Sequence, residues 1–415
     1  MTKLTRRLLS GASLVMLLGQ GAAAQQVEVM HWWTSPGEAA AVNVMKEQLQ
    51  ARGIAWLDAP VAGGGGQAAM TALRARVVAG DAPTSAMVLG YDIRDWAELG
   101  LLGDISAAAE ADNWADNYPE PYQFFGMYEG KWVATPFDVH STNWLWVNKA
   151  VFDSLGVEEP QDWDGMIAMF DKAREAGVIP LAHGGQPWQD TVLFGNVVMA
   201  TGGPDFFRKA ILDQDKEALG SDTMRQALER LLTLGGYMDP NAPGRDWNLA
   251  SAMVIEGEAL AQSMGDWAKG EFVAAGKTAG EDYLCLRFPG TQDQVAFLSD
   301  SFVFFNVNEE MREAQIEFAR LLMSPEFQAP WSVLKGSVPA HLQATDELLD
   351  TCGKKALAQY KDAAANGTLI ASIMLMSAPA PIRGAIEDVI SKLLTGQSDV
   401  DTALQGLVAS ADAAN

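Results

Sequence analysis

Cysteine and histidine are scarce. Only Cys285 and Cys352 occur in 415 residues, and the four histidines, His31, His140, His183 and His341, are scattered with no HExxH pair. Two cysteines without clustered histidines cannot build the usual zinc site, so neither a metal nor a cofactor is expected. Positive charge is also short. The 29 Lys and Arg face 53 Asp and Glu, a formal net charge of −24. Such a chain is repelled by phosphate backbones and anionic bilayers, which excludes nucleic acid and membrane surfaces as partners. After the first 24 residues no apolar run approaches the length that spans a bilayer.

The first 24 residues themselves have the pattern of a secretory leader. Lys3, Arg6 and Arg7 make a basic start, Leu8 to Leu18 is mostly apolar, and Ala22-Ala23-Ala24 offers small residues for cleavage. The mature chain is expected to begin at Gln25, with no cysteine there to carry a lipid anchor. The expected destination is the bacterial periplasm. Without the three leader cations the charge moves from −24 to −27. The remaining chain of about 390 residues exceeds one hydrophobic core, so two domains are expected. An oxidising compartment favours a disulfide between Cys285 and Cys352; two buried free thiols are the alternative.

The mature chain opens on its most informative stretch, Val27 to Glu38. Val27, Val29 and His31 alternate with Glu28 and Met30, as in a short strand. Ser35, Pro36 and Glu38 then form the signature of a capped helix start. Trp32 and Trp33 therefore lie at the carboxyl end of a strand, just before a helix opens. That is where open α/β sheets bind ligands. An indole offers a flat apolar face and one N–H donor, which suits the C–H face of a pyranose ring. Burial of one or both indoles in the core is the competing reading.

Strands at Ile54–Leu57 and Ser85–Gly90 alternate with helices at Ala68–Ala79 and from Ile93, which predicts a parallel α/β sheet. The run Gly63–Gly66 precedes the first of these helices. It lacks the GK[ST] ending of a phosphate loop and reads as a connection that lets backbone approach a ligand. A hairpin is expected around Gly130. Asp138 to Lys149 then reads as one long strand crossing into a second, helix-rich domain, and Val295 to Asn306 as another that returns the chain. Helices dominate from Glu309 onward.

Several stretches together resemble the bacterial extracellular solute-binding proteins of sugar ABC transporters, the maltose-binding-like cluster, and within it the periplasmic glucose- and monosaccharide-binding members. They are the Val27–Glu38 region, Gly63–Gly66, Arg74–Pro83, Asp92–Trp96, Asn143–Asn148, Met264–Gly270, Ser299–Phe302 and Lys335–Pro339. The resemblance implies two α/β lobes joined by a hinge, with the ligand held between them. With the crossovers above it divides the chain into a leader at 1–24, an N-terminal lobe of 25–137 plus 299–338, and a C-terminal lobe of 138–298 plus 339–415.

In glucose-binding relatives the tryptophan pair, an acid just after it, an Asp in an SDSF-like segment and a Lys in a KGS-like segment serve the sugar. The matching positions are Trp32, Trp33, Glu38, Asp300 and Lys335. From the second lobe, His140 on the crossover strand, Trp188 and Gln189 on a loop after Gly184-Gly185, and Asp266 and Trp267 in the GDWAKG stretch complete the expected site. Two departures stand out. Leu89 precedes Gly90 where such relatives carry a lysine, and Ser372–Ala380 lacks the histidine they carry. Each removes a hydroxyl partner. The expected function is a monomeric receptor that closes over a glucose-like monosaccharide, leaves it chemically unchanged, and presents it to a permease. The competing classes are a periplasmic glycoside hydrolase, which needs two carboxylates flanking one bond, and a sensory sugar receptor.

Overall fold

A computed structural model describes residues 25–413, so the leader expected at 1–24 lies outside the described residues. Three sheets organise the chain. The first runs in the order Ala55–Pro60, Gln26–His31, Ser85–Met87, Ser301–Phe304, Ala134–Pro136. Its first three strands are parallel, and Ser301–Phe304 is inserted antiparallel between its two neighbours. The second sheet runs Tyr283–Arg287, Trp144–Asn148, Ala259–Ser263, Ile179–Ala182. The third is made of the short strands Val338–Pro339, Asp138–Ser141, Ala296–Leu298 and Ile370–Ala371, and it joins the two lobes.

The opening stretch folds as its residues dictate. Val27 and Val29 are fully buried in the first sheet. Helix Pro36–Ala51 starts with a complete capping box: Ser35 Oγ accepts from Glu38 N–H, and the Glu38 carboxylate accepts from Ser35 N–H. Its Ala41, Val42, Met45 and Leu49 bury one face. The glycine run ends with Gly66 at φ 79°, a left-handed N-cap to helix Gln67–Val78 that a side chain would disfavour.

The two long strands expected across the lobe junction are each broken. Asp138–Ser141 belongs to the linking sheet and Trp144–Asn148 to the second sheet, with the turn between them fixed by Asn143, whose side-chain amide donates to Thr291 and to Gln294 O. Likewise Ala296–Leu298 and Ser301–Phe304 lie in different sheets. Here Asp300 N–H leaves the ladder and donates to Asp138 Oδ1 at 2.9 Å. Alternating hydrophobicity continues through each break, so periodicity alone does not reveal it.

One core packs helix Pro36–Ala51 and the first sheet, with Met45, Leu73, Phe302, Phe318 and Trp331, and continues across the junction to Trp146, Phe272 and Tyr283. The other fills the second lobe around Leu145, Phe170, Phe194, Leu228, Leu260 and Ile386. The disulfide expected between Cys285 and Cys352 is present, tying an edge strand of the second sheet to helix Thr351–Ala365.

Candidate ligand-binding cleft

The cleft lies where the carboxyl end of strand Gln26–His31 meets the linking sheet. A space of about 380 Å³, mouth included, is bounded by both lobes. Five tryptophans, Trp32, Trp33, Trp188, Trp247 and Trp267, form its apolar walls. Trp33 turns into the first lobe: its ring lies 5.0 Å from Trp331 and meets Phe302 edge-on at 5.6 Å. Trp267 stands edge-on to His140 at 5.5 Å and 6.2 Å from Trp188. The glycine run serves these indoles. A Cβ at Gly65 would come within 2.8 Å of the Trp188 ring, and one at Gly66 within 2.9 Å of Trp32. Gly265 lies under the Trp267 ring itself, where a Cβ would be 2.1 Å away.

The deep end is polar and almost dry. His140 stands at its centre on strand Asp138–Ser141. Its Nδ1 pairs with Asp266 Oδ1, and its Nε2 lies 3.1 Å from Asp300 Oδ2. Lys335 Nζ sits 3.3 Å from His140 Nε2, 3.4 Å from Asp300 Oδ2 and 5.6 Å from the centre of the Trp33 ring. Asp138 backs this group, accepting from Trp331 Nε1 and Asp300 N–H, both at 2.9 Å. Glu38 uses one oxygen, Oε2, for the backbone N–H groups of Thr34 and Ser35 while lining the cleft.

Opposing forces set the charges. Burial and Lys335 push His140 down, but Asp138, Asp266 and Asp300 together lift it to about 10. Burial raises Asp300, yet Lys335 and His140 overcome it and hold that carboxyl below its usual range. Asp138 goes the other way, pushed up to about 7 by burial and by the neighbouring Asp300. Burial would lower Lys335, but Asp300, Glu38, Asp138 and Asp266 outweigh it and raise it. Asp138, His140 and Asp300 each bring one ligand atom into a group less than 4.8 Å across. The Lys335 ammonium already supplies the positive charge there, so the donor set suits an ammonium–carboxylate network better than a metal ion.

Of the ten residues expected from the sequence, Trp32, Trp33, Glu38, His140, Trp188, Trp267, Asp300 and Lys335 line this one space. Asp266 and Gln189 do not. Asp266 stands behind His140, its other oxygen accepting from Ser141 N–H. Gln189 turns away, donating to Gln186 Oε1 and Arg245 O. The loop expected to carry Trp188 and Gln189 is instead the first turn of helix Pro187–Phe207, because Pro187 suits a helix start. Leu89 and Met374, at the two positions where the sequence departs from glucose-binding relatives, also line the cleft, as do Trp247 and Leu298, which were not expected there. Trp247 is the first residue of its helix, with Asp246 at the N-cap, and that local pattern does not distinguish a cleft residue from a core one.

The lobes touch directly around the cleft. Glu271, on helix Ala268–Ala274 of the second lobe, accepts through Oε1 from Ser35 Oγ at 2.7 Å and from Gly37 N–H at 3.0 Å. Farther out, Arg383 Nη2 donates to Asp92 Oδ1 at 2.6 Å, and Gln67 Nε2 to Glu387 Oε2 at 2.9 Å.

Residues 58–329 match the family described as "Bacterial extracellular solute-binding protein". The chain is 52% identical over 391 residues to a Brucella suis biovar 1 protein named "Probable sugar-binding periplasmic protein", covering 94% of this chain and 93% of that one. It is 49% identical over 404 residues to a Rhizobium meliloti protein of the same name, covering 97% of each. Among solved structures, a "Chitin oligosaccharide binding protein" superposes with a TM-score of 0.80 at 18% identity, covering 93% of this chain and 98% of that one. That likeness is one of two-lobed fold.

Proposed function

The chain belongs to the family of bacterial extracellular solute-binding proteins, and from that membership we propose that it is a periplasmic sugar receptor that closes over a glucose-like monosaccharide ring and delivers it to an ABC permease. The family and the named relatives are solute-binding proteins rather than enzymes. The lobes are taken as 25–137 plus 299–338 and 138–298 plus 339–415, and the receptor as a monomer.

The observation that carries this reading is the composition of the cleft: five indole walls around a single ammonium–carboxylate group. A hydroxyl is at once donor and acceptor. Lys335 has N–H groups to give it, while Asp300 and Glu38 have oxygens to receive its proton. Trp32 and Trp267 take the apolar ring faces. The acids that approach the cleft share its deep end with Lys335 and His140, which suits holding a sugar rather than cleaving it.

Ligand screening by thermal shift tests the proposal. A sugar at 100 times its Kd adds about 2.7 kcal/mol of stability. Trp32→Ala and Asp300→Ala are each expected to remove most of that shift; full retention in both variants would place the site elsewhere.

A further inference from the structure

Arg287 does not line the cleft, yet it is buried, 3% exposed, where the second sheet meets the linking sheet. It ends the edge strand Tyr283–Arg287, opposite Trp144 in the antiparallel pair, and its guanidinium carbon lies 3.7 Å from the centre of the Trp144 ring. Its N–H groups reach two elements. Nε and Nη2 donate to Gln359 Oε1 on helix Thr351–Ala365, at 3.0 and 2.7 Å. Nη1 donates to Ser141 Oγ at 3.0 Å and to Asn143 Oδ1 at 3.1 Å.

Each of these acceptors is neutral. Burial pushes the guanidinium pKa down, and Asp266 is the acid that opposes this. Taking a cation out of water with only neutral partners is costly, and an apolar side chain would fill the place at less cost. What an apolar side chain cannot do is fix several acceptors at once. The planar guanidinium fork sets both their distance and their direction.

The acceptors lie where the chain passes between the lobes. Ser141 is the last residue of the strand that carries His140, and Asn143 fixes the turn before Trp144–Asn148. Ser141 N–H donates to Asp266 Oδ2 at 3.0 Å, and Ser141 O accepts from Asp266 N–H at 3.1 Å. Its hydroxyl oxygen also accepts from Trp144 Nε1 at 2.6 Å. Asp266 in turn pairs with His140 Nδ1. A path of direct contacts therefore runs from Arg287 through Ser141 and Asp266 to the imidazole beside Asp300 and Lys335.

We propose that Arg287 is a positioning residue for sugar binding: its fork holds the turn 141–143 against helix Thr351–Ala365 and so fixes Asp266 and, through it, His140 at the deep end of the cleft. This rests on the sugar-receptor reading above.

A double-mutant cycle tests it. Titration calorimetry of the mature protein with glucose, galactose, mannose and xylose identifies the sugar bound most tightly, and the variants are compared with that sugar. Arg287→Met and Ser141→Ala are each expected to raise its Kd about ten-fold, and the double variant to be no weaker than the weaker single one. Arg287→Lys keeps a cation without the fork, so it should bind like Arg287→Met. It also supplies the same cycle if the methionine variant does not fold. Effects that multiply in the double variant overturn the proposal, because Arg287 then acts by another route. An unchanged Kd in Arg287→Lys or Arg287→Met overturns it as well, and a lowered unfolding temperature beside that unchanged Kd marks Arg287 as structural only. A wild-type protein that binds none of these sugars overturns the receptor reading and the positioning role with it.

Discussion

Lys335 pairs with Asp300 at 3.4 Å, and His140 Nε2 stands between that carboxylate and Asp138, in a place that water hardly reaches. Asp300 and Asp138 are 3% and 0% exposed, and both help to raise Lys335. Replacing Lys335 by methionine leaves those acids facing each other with only His140 as counter-charge. Urea unfolding is expected to show a loss of about 3–5 kcal/mol for Lys335→Met, with sugar binding abolished; a loss below about 1 kcal/mol would mean the network needs no cation there. His140 makes a second prediction. Its folded value of about 10 lies above the ordinary 6.5, so the folded protein keeps a proton that the unfolded chain releases. The stability this contributes is complete below about pH 6.5 and is lost as the pH rises toward 10. Asp138, raised to about 7, acts with the same sign over a lower window. The unfolding temperature should therefore fall between pH 7 and 10, and fall less in His140→Gln. A steeper fall in the variant would contradict this charge assignment. Asp300 was legible from sequence because a carboxylate in the apolar run Phe297–Phe305 demands partners. Asp138 was not, because its role depends on Trp331 and on the Asp300 backbone, both remote in sequence.

Among the elements, the start of helix Pro36–Ala51 does two jobs. Ser35 caps the helix and also donates to Glu271 of the facing lobe. Gly37 brings the two backbones together: a Cβ there would stand 2.6 Å from the carbonyl carbon of Gly270. Gly270 has no more room, since its own Cβ would lie 2.7 Å from Leu334 O. Gly37→Ala should leave each lobe folded but hold the lobes apart. The expected readout is an unchanged ligand-free unfolding temperature with sugar affinity lowered about ten-fold or more, a cost near 1.4 kcal/mol on closure. Unchanged affinity would show that this contact is not needed for closure. The capping box was readable because its signals lie within four residues. The breaks at Asn143 and Asp300 were not, because a strand that changes sheets keeps its alternation. Which sheet it joins is settled by side chains far away, such as Thr291 and Asp138.

For the molecule as a whole, the disulfide is the strongest single constraint on the second lobe. It spans 67 residues of chain between the sheet edge and helix Thr351–Ala365. The loop-entropy model gives about 4 kcal/mol for a loop of this size, so reduction or Cys352→Ser should lower the unfolding temperature markedly, read by calorimetry with and without reductant. An unchanged temperature would mean that packing alone holds the helix. Two lobes were foreseeable from length, and the parallel pairing of the first three strands of the first sheet from strand–helix alternation. The pairing of distant segments was not, because no local pattern records that residues near 300 belong beside residues near 86.

That pairing has a consequence for how the protein is made. Ser301–Phe304 is an interior strand of the first sheet, flanked by strands synthesised long before it. Until it emerges, Ser85–Met87 and Ala134–Pro136 have no partner on their facing edges. The amino-terminal half therefore cannot settle early into a finished body. The first sheet reaches its final strand order only once residue 304 has been made, so the folding of that lobe waits on the last third of the chain.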